Sequence, residues 1–153
     1  MEYFVLDVHE VFTPPRIKGL IKHMVECKIY TPNHVMLPIV EHPLTVFTDI
    51  ITHPCFMVSK EVKKVIQLYE PECQFDKLIL FDEKRKQNKL YFAPRLMARE
   101  LPLRISHELP TLLKVISGER VQVIARLDFV ESLLRRKVVG IGLKEWKWSL
   151  ESI

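Results

Sequence analysis

Two hydrophobic periods alternate along this chain, one of two residues and one of three to four, and they divide it into strands and helices. At the start, Tyr3, Val5 and Asp7 alternate with Phe4, Leu6 and Val8, a period-two pattern rich in strand formers. After Ser59 the period changes: Val62, Val65, Ile66 and Tyr69 fall at i, i+3, i+4 and i+7, with Lys60, Lys63, Lys64 and Gln67 off the stripe. This predicts an amphipathic helix from Lys60 to Glu70, capped by the Ser59 hydroxyl, favoured at its positive end by Glu61 and stopped by Pro71. A second unit repeats the plan. Val123 to Leu127 is apolar but for Arg126, Asp128 is placed to cap with Glu131 three residues on, and Phe129, Val130, Leu133 and Leu134 form the stripe. Arg135, Arg136 and Lys137 follow in the last turn, and Gly140 is placed to close the helix. The likeness between the two units is too short to establish an internal duplication.

Between these helices the pattern predicts hairpins. Phe75 to Phe81 and Lys89 to Ala93 read as strands joined by the charged linker Asp82 to Asn88, which should form a protruding polar tip. The unbroken run Leu78, Ile79, Leu80, Phe81 marks a central strand covered on both faces, with a helix lying over it. Leu112 to Ile116 and Arg120 to Ala125 flank Ser117, Gly118 and Glu119, a tight turn with Gly at positive φ. Leu143 to Leu150 alternates as a closing strand, and Val46 to Ile51 reads as a short buried one. Pro14, Pro15, Pro32, Pro38, Pro43 and Pro54 rule out long helices from Pro32 to Pro54. Residues 16–24 stay open between helix and extended chain, since Ile17, Leu20, Ile21 and Met24 have helical spacing while Gly19 weakens it. Arg95 to Thr111 is irregular, interrupted by Pro102 and Pro110, with room for a single turn at Met97 to Leu101 or at Ser106 to Leu109.

These elements predict one α+β domain over 1–153: a mostly antiparallel sheet with two packed amphipathic helices. A chain of 153 residues has the size for one core. Its 48% apolar and 27% charged residues exclude a disordered chain. The net charge is +4 with a pI near 9.0, which permits an anionic partner without demanding one. The start lacks a secretory pattern, and no stretch reaches the ~18 apolar residues a membrane span needs, so a cytoplasmic protein is expected. Cys27, Cys55 and Cys73 are odd in number and widely spaced, as reduced thiols are.

No reaction centre is legible. The six histidines are scattered singly, with no HxH or HExxH pair to share a metal. Four glycines form no phosphate-cradling loop, and no G-x-S-x-G elbow exposes a nucleophile. Trp146 and Trp148 beside Lys144 and Lys147 have the composition of a base-stacking platform, but period two puts both indoles on one apolar face, more in keeping with a core or protein interface. The sequence therefore predicts no catalytic residue, cofactor or metal. What remains are the exposed charges Glu83, Lys84, Arg85 and Lys86 at the hairpin tip and Arg135 and Arg136 at the helix end, candidates for a partner-binding surface.

One family shares these features. Phe47 to Ile50, Phe56 to Lys60 with Val62, Val65 and Ile66, Tyr69 to Pro71, Leu78 to Asp82, Leu90 to Pro94, Ala125 to Arg136 and Gly140 to Leu143 resemble immunity family eleven of bacterial polymorphic toxin systems, formerly a domain of unknown function. The resemblance covers residues 44–150 and rests on structural motifs. It implies a cytoplasmic protein that binds and neutralises a cognate protein toxin, without cofactor or catalysis. The chain departs from the pattern at Lys137, where Gly is expected after the paired arginines, and in the shortness of Arg95 to Gly118. The basic tip would steer toward an acidic surface and repel the basic cleft of a nuclease. A small nucleic-acid or regulatory module using the same basic patches is the alternative, and an enzyme the third reading.

Overall fold

Strand β1 (Tyr3–Val8) forms where period two predicts it, and its neighbours come from the far end of the chain. It pairs antiparallel with β9 (Arg120–Arg126) on one side and β10 (Ile141–Glu145) on the other. The computed structural model describes residues 2–18, 35–101, 103 and 109–147. Within them the strands divide between two five-stranded sheets in place of one. The first has the order β10-β1-β9-β8-β7, with β8 (Leu112–Ser117) and β7 (Ala98–Glu100) completing it. The second runs β2-β5-β6-β4-β3, built from β2 (Val35–Pro38), β3 (Ile50–Ile51), β4 (Met57–Val58), β5 (Phe75–Asp82) and β6 (Gln87–Pro94). Pairing is antiparallel except for the edge strands β2 and β7, which run parallel to β5 and β8. With two helices among the described residues, α1 (Lys60–Tyr69) and α2 (Leu127–Arg135), the fold is α+β.

Alternation along the strands sorts side chains into three clusters. Leu6, Val123 and Ala125 of the first sheet and Ile50, Val58 and Phe92 of the second meet Val62, Val65 and Ile66 of α1 and Phe129, Val130 and Leu133 of α2 in one shared core. The outer face of the second sheet buries Leu78, Leu80 and Tyr91 against Leu37, Ile39, Ile51 and Met57. The outer face of the first sheet buries Tyr3, Val5, Leu113, Val115 and Ile124 against Leu103, with Trp146 packed alongside. Among the described residues Ile17, Ile39, Phe47 and Cys55 pack into the cluster of Leu78 and Leu80, while α1 lies against β6 and β4, and α2 against β9 and β1.

Several expectations shift for local physical reasons. Ser59 caps α1 as predicted, its Oγ accepting from Val62 N at 3.4 Å. Asp128 does not cap α2: β9 runs into the helix without a loop, Arg126 takes the cap position, and Asp128 lies inside the first turn. The orphan amide of Leu127 donates instead to Glu2 O at 3.1 Å, and Glu131 faces Arg135 at 3.9 Å, so no capping box forms. Leu134 leaves the apolar stripe, being 52% exposed. Lys137, at φ 53, takes the left-handed position after α2, while Gly140, at φ 83, lies three residues further on.

Of the predicted strand Val46 to Ile51, only Ile50 and Ile51 pair, because Val46 N is drawn to Thr13 O at 2.8 Å. Ile17 bridges Ile39 and Lys18 N donates to Pro38 O, so the chain is extended up to residue 18. The rest of the open 16–24 stretch lies outside the described residues, as do Cys27 and Trp148. The predicted closing strand is five residues long and ends before Trp146. The 118–119 turn forms as expected, with Gly118 at φ 62 between paired Ser117 and Arg120.

Candidate functional site

The β5–β6 hairpin carries four of the six predicted partner-binding residues on a four-residue turn, 83–86, closed by the Asp82–Gln87 pair. Its strands are longer than the sequence suggests, so Asp82 is not part of the tip. Asp82 is buried, and its Oδ1 accepts from the backbone N of Lys84 at 3.1 Å and of Arg85 at 3.2 Å. Such a side-chain turn holds the loop without Gly, and Lys86 supplies the left-handed residue at φ 52.

The exposed tip also folds onto the proline-rich loop beside it. Lys84 Nζ stands 2.5 Å from Glu41 Oε1, and Arg85 Nη2 donates to Pro43 O at 2.7 Å. The hydrogen bond and charge of Glu41 hold the Lys84 ammonium above its ordinary pKa. Glu83 and Lys86 are exposed and make no ion pair among the described residues. The result is a cationic knuckle of fixed shape, with a shallow hollow of about 180 Å³ between Lys18, Ile39, Glu41, Asp82, Glu83 and Lys84.

Arg135 and Arg136 stand apart from this knuckle. Arg135 is exposed near Glu131, and Arg136 Nη1 donates back to Ser132 O at 3.0 Å. No hydrogen bond or ion pair joins them to the tip among the described residues. The two basic clusters are therefore two small patches.

A larger cleft was not anticipated. It measures about 550 Å³ and opens between the two sheets, with β1, β8 and β9 on one wall and the ends of β5 and β6 with the 52–56 loop on the other. Buried apolar walls come from Leu6, Phe56, Ala93 and Val123, and the half-buried Cys55 reaches it. Arg95 lies at its rim, forked onto Asp76 at 2.8 and 3.2 Å. The sequence carried one signal for this cleft: Lys114 interrupts the apolar run Leu112 to Ile116.

Among the described residues no group of three or more His, Cys, Asp or Glu is arranged to hold a metal ion. No helix among them is long and apolar enough to cross a membrane. No protein-family model matches the chain, and no curated protein matches it.

Proposed function

We propose that this chain is an immunity-type protein of the cytoplasm that binds a cognate protein toxin and neutralises it by occlusion, without catalysis. In this reading the sheets and two packed amphipathic helices form the frame, and the cationic knuckle at 83–86 is the first point of contact. The observation that carries it is the knuckle's preorganisation: Asp82, Glu41 and Pro43 fix its shape before any partner arrives, which lowers the ordering cost of association. An occluding surface needs about 800 Å² on each partner and no reactive group. The motif resemblance described above supplies the class of partner, and the positive tip favours an acidic face on it.

The test is co-expression with the product of the adjacent gene, followed by joint purification and measurement of affinity. Because Lys84 and Arg85 are tied to Glu41 and Pro43, charge reversal there would set like charges against Glu41 and Asp82 and disturb the turn. Neutral variants, Lys84→Gln, Arg85→Gln and Lys86→Gln combined, are the cleaner probe. Weakened binding with an unchanged unfolding midpoint supports the reading, and unchanged affinity removes the knuckle from the interface. Steeply salt-dependent retention on nucleic acid, with no protein complex, would instead favour the nucleic-acid module.

A further inference from the structure

We propose that the cleft between the two sheets is a binding site for a small organic anion, a carboxylate or phosphate monoester on an apolar body, with Lys114 pairing its acidic group. Strand β8 turns Leu113 and Val115 to the outer cluster and Leu112, Lys114 and Ile116 to the inner face. On that inner face Leu112 is 2% exposed, and Val123, paired directly opposite Lys114, is 4% exposed. A lysine thus stands in an apolar row, on a strand hydrogen-bonded on both sides. Its stem gains from such a place, and an ammonium carried to the edge of apolar walls calls for an acidic partner.

The other charges along the cleft do not pair it. Arg95 and Asp76 satisfy each other. Asp7 is exposed, and its Oδ1 accepts from Thr52 Oγ1 at 2.9 Å and from Val8 N at 2.7 Å. Glu119 and Arg120 are exposed at the β8–β9 turn. Among the described residues Lys114 has no carboxylate within ion-pairing distance. A cleft of about 550 Å³ lies in the size range of small-molecule sites, where apolar walls supply affinity and a few polar groups fix orientation. An ammonium beside apolar walls recognises an amphiphilic anion. The inference does not depend on the proposed partner, since no knuckle or α2 residue lines this cleft.

The probe is anilinonaphthalene sulfonate, a fluorescent apolar anion, titrated into the folded protein. Saturable one-to-one binding is expected, weakened about tenfold in Lys114→Met, as loss of a charge-assisted contact implies. Lys114→Arg should retain binding, and Lys144→Met on β10 should leave it unchanged. Lys114→Gln serves the same purpose if the methionine variant fails to fold. Displacement of the dye by octanoate but not by phenyl phosphate assigns a carboxylate ligand, and the reverse a phosphate. Absence of saturable binding, or equal affinity in both Lys114→Met and Lys114→Gln, overturns the proposal.

Discussion

Thr48 and Gly140 meet where no side chain fits between them. A Cβ added at Gly140 would lie 2.4 Å from Thr48 Cγ2 and 2.8 Å from Thr48 Cβ, and φ there is +83. Left-handed strain and overpacking then act together, so Gly140→Ala is expected to destabilise by about 2–4 kcal/mol, read as a lower urea midpoint at constant slope. Gly118, at φ +62 with nothing within 4 Å, isolates the backbone part, and Gly118→Ala should cost only about 1 kcal/mol. Lys137 is the opposite case, a side chain at φ 53 where Gly is more at ease. Lys137→Gly should raise stability by about 0.5–1 kcal/mol in the same assay. Next to Thr48, Asp49 fastens the exit of α2. Its N–H donates to Val139 O at 2.9 Å, its Oδ2 accepts from Val139 N at 2.5 Å, and its own carbonyl accepts from Ser59 N at 2.8 Å. The contact explains why a segment of loop after α2 keeps a fixed place against β3.

The two helices start by different means, and their responses to mutation and acid should differ accordingly. α1 relies on a buried hydroxyl, so Ser59→Ala is expected to cost about 1 kcal/mol. α2 relies on a neighbouring strand end and on an acid already inside its first turn. Arg126 is forked onto Asp128 at 2.8 and 2.9 Å, and that hydrogen-bonded pair holds the Asp128 carboxyl below the usual carboxylate range. A carboxyl lowered in the folded state contributes stability above its unfolded pKa, about 3.9, and loses it as pH falls through the lower folded value. The urea midpoints of the protein and of Asp128→Asn should therefore differ above about pH 4 and converge below it, by a small amount because solvent reaches both members of the pair. Across the two helices, Tyr69 stacks edge-on to Phe129 with ring centroids 5.5 Å apart, and its hydroxyl donates to Asp128 O at 3.0 Å. Removing that hydroxyl in Tyr69→Phe should cost about 1 kcal/mol, again by urea unfolding.

At the scale of the molecule, both sheets and both helices contribute to one core, so unfolding followed by far-ultraviolet dichroism and by aromatic fluorescence should give coincident transitions. How much of this was legible depends on sequence distance. The β5–β6 and β8–β9 hairpins, β1 and both helices were readable because their signals are local: period, cap residue and turn glycine. The partition into two sheets was not, since it depends on partners far apart in sequence, such as β1 with β9 and β10. The parallel edge strands β2 and β7 emerge from stretches whose prolines and charges conceal them, and two-residue β3 and β4 carry no period at all. The knuckle's charges were visible, but its anchorage to residues 41–43 was not, because Glu41 and Pro43 lie some forty positions away. The cleft is a gap between sheets, and a gap has no sequence of its own; only the misplaced Lys114 hinted at it. The position of β1 has a consequence for how the molecule is made. The ribosome releases every strand of the second sheet by Pro94, whereas β1, which precedes them all in the chain, must wait for Arg120 to Glu145 before either of its edges is paired. Nascent chains stalled near residue 110 should accordingly leave residues 3–8 open to protease.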